Sequence, residues 1–376
     1  MAIYLDHAAA TPIKNEVLET YNKAFKEFFS NPSSPHALGI ESAKYLAQIN
    51  SLILKELGLN DTYEVIHTSG ATEANNLAIL GYFKHNRLQD PRFIYLETDH
   101  PSVTKPMQHL KDSCKCRVFG LGLDTDGQPN TAELELILDD GPTLLSIGSV
   151  NSETGFINNL DSILALTKKY SKTVLHCDLV QGFGHVELPG LLDFDLLTLS
   201  SHKLGGPKGH GLLIKRKKIL VEPIIYGGGQ QNNIRSGTED LAGAIAMLKV
   251  IRLSKAIPEN VGDFNQVLCS ELNKRSDIVI NSRRDGSPYI FNFSLLKHKA
   301  SVVVEGLSLR DVFVSSTSAC SSKTNGYSKA VYDVYGDKNR AENTIRLSFS
   351  NLTTVDDIKG FLNALYDVLS EVKKNG

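Results

Sequence analysis

Between about Glu16 and Leu253, short apolar runs recur at intervals filled by helix-length segments of mixed polarity. The runs are Tyr63 to His67, Arg92 to Glu97, Cys116 to Leu121, Thr143 to Val150, Thr173 to Asp178, Phe194 to Ser200 and Gly211 to Lys215. Strands spaced in this way predict an α/β fold: a mostly parallel sheet covered by helices on both faces, with ligands at the carboxyl ends of the strands. A helix from about Thr238 to Ala256 closes the region, and Ile257-Pro258-Glu259-Asn260 is the best linker. Beyond it, Ile278 to Ile280, Ile290 to Ser294 and Ile345 to Phe349 read as antiparallel strands between helices such as Val355 to Lys373, a smaller α+β domain. The expected layout is an N-terminal arm over 1–15, a large domain over 16–256 and a small domain over 257–376, without internal repeats or low-complexity tracts.

Composition then narrows the class. A chain of 376 residues, 41% of them apolar, can bury roughly 75% of its unfolded surface. Lys+Arg 40 against Asp+Glu 42 gives a net charge of −2, so no global basic field points to nucleic acid or an anionic membrane. A small substrate is expected. The N-terminus lacks a leader pattern and no apolar run is long enough to span a bilayer, which places the expected protein in the cytoplasm. Cys114, Cys116, Cys177, Cys269 and Cys320 form neither an even framework nor a zinc spacing. Reduced thiols are expected, with the four other than Cys320 structural.

Three strand ends carry candidate chemistry. The run Phe194 to Leu199 closes on Ser200-Ser201-His202-Lys203 before a Gly/Pro turn, which puts an amine at the mouth of a buried strand, where a Schiff-base lysine belongs. The run Thr173 to Cys177 ends in Asp178, and pyridoxal phosphate needs a carboxylate on its ring nitrogen. Val65 to Thr68 leads through Ser69-Gly70-Ala71-Thr72 into a helical pattern, a strand-to-helix junction whose free N–H groups and hydroxyls suit a phosphate. Each alone is weak: most such lysines are solvated and most such aspartates cap helices. Together they read as a pyridoxal phosphate site. His100 and Asn151-Ser152-Glu153 lie at two further strand ends. No G-x-G-x-x-G follows the first strand, so a dinucleotide reading of Gly227-Gly228-Gly229 is set aside for a turn near a dimer interface.

These residues resemble those of the cysteine desulfurases, fold-type I pyridoxal phosphate enzymes of the class V aminotransferase group. The resemblance runs nearly end to end, through Tyr4-Leu5-Asp6, Asn31-Pro32-Ser33-Ser34, Thr68 to Glu73, His100, His202-Lys203 with Gly206 to Gly209, Arg235 to Thr238, Ser315 to Cys320 and Ile345 to Ser348. It implies that Lys203 holds the cofactor, Asp178 pairs with the ring nitrogen, His100 stacks on the ring and Gln181 meets the phenolic oxygen. Ala71, Thr72, Ser200, Ser201 and His202 would hold the phosphate, with Thr238 reaching in from the other subunit of a homodimer. Ser152 stands where a ring-contacting asparagine is usual, Asn31 would lie near the substrate, and Arg346 would take its carboxylate, a group that guanidinium pairs with bidentately. The resemblance is to desulfurases with a long mobile cysteine loop. Cys320 among Ser315, Ser316, Ser318, Ser321 and Ser322 sits in a polar loop rather than a core strand. The implied reaction converts L-cysteine to L-alanine with a persulfide on Cys320, passed to a sulfur acceptor protein of iron-sulfur assembly or tRNA thiolation. Ala10, Asn50, Ser152 and Ser350 depart from the family pattern. A related lyase or aminotransferase, for example on selenocysteine, and a partner-binding paralogue are the alternatives.

Overall fold

The computed structural model describes residues 2–139, 141–254, 261–316 and 326–374. Its larger sheet has seven strands: β2 (Tyr63–Thr68), β3 (Arg92–Leu96), β4 (Arg117–Leu121), β5 (Thr143–Gly148), β6 (Thr173–Asp178), β7 (Leu196–Ser200) and β8 (Gly211–Arg216), in the order β2-β8-β7-β6-β5-β3-β4. All run one way except β8, which is antiparallel to both β7 and β2. The sequence pattern gives β8 as a strand without its direction, and the cause is local. Ser200 and Gly211 pair with each other across a ten-residue connection, too short for the crossover that a parallel neighbour requires.

The strands read as continuous apolar runs because both faces of the sheet are covered. Side chains alternate between two cores. Ile94, Leu96, Leu145, Ile147, Leu175, Cys177, Leu197 and Leu199 pack on one side. Phe93, Leu144, Val174 and Leu196 pack on the other, against Leu77, Val103, Met107 and Leu110. Burying such a leucine or isoleucine stabilises the fold by about 1.5–3 kcal/mol, which fixes the register and with it the points where the strands end.

A second sheet, β12 (Ser315–Ser316), β13 (Thr344–Ser348), β10 (Ile290–Leu295) and β9 (Ile278–Ile280), is antiparallel throughout. Its own core joins Phe291, Phe293, Ile345 and Leu347 to Phe361, Leu365 and Val368 of the helix Val355–Lys374. The N-terminal arm belongs to this core, which the sequence pattern did not indicate. Strand β1 (Ile3–Tyr4) pairs in parallel with β11 (Val312–Phe313), and Leu5 is wholly buried among the small-sheet residues. The expected linker Ile257 to Asn260 lies outside the described residues, and the closing helix is Leu241–Leu253, shorter than its pattern. No helix among the described residues is long and apolar enough to cross a membrane.

Candidate active site

The carboxyl ends of β2, β3, β5, β6 and β7 meet the start of β8 along one edge of the large sheet, and a cavity of ≈ 460 Å³ opens there. Its lining brings together Ala71, Thr72, His100, Ser152, Asp178, Gln181, Ser200, His202 and Lys203. The volume is in the range of small-ligand sites.

Lys203 ends a single 3₁₀ turn, Ser201–Lys203, that follows β7 directly. Its Nζ donates to the carbonyls of Ala8 and Ala9 at 2.6 and 2.8 Å, so the N-terminal arm holds the amine at the cavity wall. Asp178, the last residue of β6, accepts from the Val180 amide at Oδ1 (2.9 Å) and from Asn75 Nδ2 at Oδ2 (2.7 Å). Gln181 lines the cavity while its Nε2 donates to Ala8 O at 3.0 Å.

The junction after β2 fits a phosphate group. Gly70 has φ +151°, open to glycine and strained for other residues, and a Cβ on Gly211 would lie 2.6 Å from the Gly70 backbone. Both glycines therefore serve one tight turn. The helix Ala71–Asn76 that follows has no side-chain cap at Gly70, which leaves its first N–H groups directed at the cavity end. Glu73 accepts from the Ser69 amide and pairs with Arg235, whose Nε lies 2.8 Å from Oε1. Opposite, Ser200 Oγ and His202 Nδ1 are 3.0 Å apart. Burial, then Lys203 and Lys208, push the His202 imidazole down to about 4, so it is neutral at pH 7. Uncapped N–H groups, two hydroxyls, a neutral histidine, an amine and an opposing carboxylate form the donor set that pyridoxal phosphate requires.

His100 serves the helix and the cavity at once. It caps the helix Pro101–Asp112, accepting the Ser102 amide at Nδ1 (3.1 Å), and it also lines the cavity. Crowding by the protein lowers its pKa, Asp178 opposes that shift, and Lys203 and Arg346 add to it.

Arg346 sits on β13, outside the lining but joined to it. Its Nη1 donates to Ser152 O at 2.8 Å and its Nη2 to Asp6 Oδ1 at 2.8 Å. The guanidinium thus ties the small sheet, the N-terminal arm and the loop after β5 together beside the cavity, with Nε buried and unpartnered. Asn151 and Ser152 both line the cavity, and the Asn151 side chain is held by backbone groups, Oδ1 accepting from Glu153 N and Thr154 N and Nδ2 donating to Thr98 O.

Two expectations, for Ser201 and Asn31, need correction. Ser201 does not line the cavity: it is fully buried in the turn, and a Cβ on Gly206 would lie 2.1 Å from its Oγ. Ser200 closes the strand at the cavity and Ser201 opens the buried turn that follows, so only the first hydroxyl faces the site. Asn31 is exposed, with Oδ1 accepting from Ser33 N, and is not brought to the cavity. Thr238 is exposed and absent from the lining of its own chain. Cys320 lies outside the described residues. Among the other cysteines Cys177 is buried with its thiol pKa pushed well up by desolvation, whereas Cys114 is exposed in the turn after the helix Pro101–Asp112.

Three functional positions escaped the sequence reading. Asn75 is fully buried behind Asp178, Ser102 stands between Asn75 and His100, and Asp99 lines the cavity with both carboxylate oxygens 3.1 Å from Gly148 N. Burial, with Asp178 nearby, pushes the Asp99 pKa well up. An apolar strand end announces that a polar residue will follow it. It does not announce which distant side chain will hold that residue in place.

Residues 3–361 match the family described as aminotransferase class-V, and the chain belongs to that family. It is 33% identical over 99% of its length to the cysteine desulfurase IscS of Dictyoglomus turgidum, covering 95% of that protein. It is 30% identical over 98% of its length to the putative cysteine desulfurase IscS 1 of Bacillus subtilis, covering 99%. Among solved structures, a NifS-like protein superposes with a TM-score of 0.88 at 27% identity, over 98% of this chain and all of that one. SspA in complex with cysteine gives a TM-score of 0.78 at 26% identity, over 92% and 98%.

Proposed function

We propose that this protein is a pyridoxal phosphate-dependent cysteine desulfurase that converts L-cysteine to L-alanine and leaves the sulfur as a persulfide on Cys320. The observation that carries the reading is the convergence of Lys203, Asp178, His100 and the Ala71-Thr72 cradle on one cavity, in a chain whose full length matches proteins named cysteine desulfurase.

Bound pyridoxal phosphate supplies an electron sink for charge developing at the substrate Cα. The residues supply the rest. Lys203 would anchor the cofactor through Nζ and would take the substrate Cα proton at the same atom. Asp178, steadied by Val180 N and Asn75, would pair with the ring nitrogen, and Gln181 would donate to the phenolic oxygen. Ala71, Thr72, Ser200 and His202 would hold the phosphate, with Ser152 and His100 beside the ring. The remaining N–H groups of Arg346 take the substrate carboxylate. The reaction balances without an outside oxidant: L-cysteine and the Cys320 thiol give L-alanine and the Cys320 persulfide, from which an acceptor protein takes the sulfur. The described residues on either side of the segment bearing Cys320 are fixed beside the cavity, since Ser315 pairs with Arg346 in the sheet and Ser328 Oγ donates to Glu153.

Two separate cores support the assignment of 16–256 as the cofactor-binding unit and 257–376 as the unit carrying Cys320. A homodimer fits the exposed apolar side chains Phe25, Phe29, Leu38 and Ile40 on and between the helices Asn15–Glu27 and Ala37–Glu56. It also gives exposed Thr238 a phosphate to reach in the neighbouring subunit. Sedimentation at micromolar concentration should show one species of twice the chain mass, and a fully active monomer would refute the shared site. The activity is tested by supplying pyridoxal phosphate, L-cysteine and a reducing thiol: alanine and sulfide should appear in equal amounts. Pyruvate and ammonia in place of alanine would overturn the reading.

A further inference from the structure

Asp178 and His100 are linked by two buried residues, Asn75 behind the cavity wall and Ser102 in its lining. Asn75 is fully buried and Ser102 is 5% exposed. Asn75 Nδ2 donates both to Asp178 Oδ2 at 2.7 Å and to Ser102 Oγ at 2.8 Å. The amide orientation is fixed by chemistry: turned over, Asn75 would set its carbonyl against a carboxylate. The Ser102 backbone N–H, which can only donate, points at His100 Nδ1 at 3.1 Å and makes that nitrogen an acceptor, so the Ser102 hydroxyl 2.8 Å away turns its proton to the same atom while its oxygen accepts from Asn75. Two donors converge on one ring nitrogen, and that nitrogen must carry the lone pair.

We propose that Asn75 and Ser102 are positioning residues, forming a hydrogen-bond relay between Asp178 and His100 in which Asn75 donates to both Asp178 and Ser102 and Ser102 donates to His100, holding that ring in the tautomer protonated at Nε2. The inference deepens the desulfurase reading and rests on it for its catalytic meaning. Its consequence is a division of labour in which His100 presents Nε2–H as a proton donor and hydrogen-bonding face, while removal of the Cα proton falls to Lys203. Protonating His100 at Nδ1 would strand the Ser102 N–H and force the hydroxyl to turn round while it is still engaged by Asn75. The charged groups acting on the ring from other elements are Asp178 at the end of β6, Lys203 after β7 and Arg346 on β13. None of them lies on the helix that the relay enters.

The test uses the full-length protein with ¹⁵N-labelled histidine, both without cofactor and loaded with pyridoxal phosphate. In the cofactor-free protein His100 should show an unprotonated Nδ1 and a protonated Nε2, and should titrate below an ordinary histidine. Ser102→Ala removes one donor to Nδ1, and one hydrogen bond corresponds to a change of about three- to tenfold, so the titration midpoint should rise by about half to one pH unit. Ser102→Thr keeps the hydroxyl and should restore the original titration. Asn75→Ala, which frees the hydroxyl to accept, should move the midpoint the same way, and if that variant fails to fold the Ser102 pair still decides. In the loaded enzyme Ser102→Ala should lower kcat about three- to tenfold with KM for L-cysteine unchanged. A Ser102→Ala protein whose His100 keeps the wild-type tautomer and midpoint would overturn the relay, and because that readout needs no turnover it is separate from any failure of the desulfurase reading.

Discussion

Lys203→Ala protein, loaded with pyridoxal phosphate, is expected to turn over L-cysteine at least about 10²–10⁴-fold more slowly than the wild type, the range that a positioned proton-transfer group contributes. The effect is large because one amine has two tasks. It stands 2.6 and 2.8 Å from the Ala8 and Ala9 carbonyls at the cavity wall, the position proposed for anchoring. Two readouts should fall together. Borohydride should no longer fix the cofactor to the chain, and the substrate Cα hydrogen should no longer exchange with deuterium from solvent. Normal exchange in this variant would move the base to another residue, and Asp99 would be the next candidate.

Cys320→Ser should separate those steps from sulfur capture. The variant keeps Lys203, Asp178 and the phosphate cradle, so Cα exchange should continue at close to the wild-type rate. Alanine and sulfide should nevertheless nearly vanish, because a thiol with an ordinary pKa of about 8.5 offers some thiolate at neutral pH and a serine hydroxyl offers no comparable nucleophile. The other cysteines do not substitute for it. Cys177 is buried with its thiol pKa driven well up, and Cys114, although exposed, sits after the helix Pro101–Asp112, whose opposite end carries the cavity residue His100. Alkylation of the native enzyme should therefore reach both Cys320 and Cys114, with only the first costing activity.

How much of this was legible in the sequence depends on whether the cause was local. Lys203, Asp178 and the Gly70 turn could be read because each follows an apolar run directly, and the end of a buried strand is where a polar side chain can meet a ligand. The direction of β8 was also encoded, in the ten residues between its partners Ser200 and Gly211, yet a pattern of apolar positions carries no sign for strand direction. Ser201 was misplaced because two adjacent hydroxyls look equivalent in a sequence, whereas Ser200 ends the strand at the cavity and Ser201 is buried in the turn that follows. Asn75, Ser102 and the Asp6 contact to Arg346 were beyond reach for another reason. Their partners are 103, 27 and 340 positions away, and they meet only after the sheet order and the return of the N-terminal arm to the small sheet have been set by burial. Asn75 in particular reads as an ordinary helix residue until Asp178 is placed beside it.

The central claim, that sulfur leaves L-cysteine onto Cys320, is tested most directly by a single turnover in the absence of any reducing thiol. Protein loaded with pyridoxal phosphate is mixed with an equimolar amount of L-cysteine, quenched and digested, alanine is quantified, and the peptides are weighed. The account predicts one alanine per site and one added sulfur atom on the peptide that contains Cys320. Alanine formed with the extra sulfur on Cys114, or formed at a near-native rate by the Cys320→Ser protein, would contradict it.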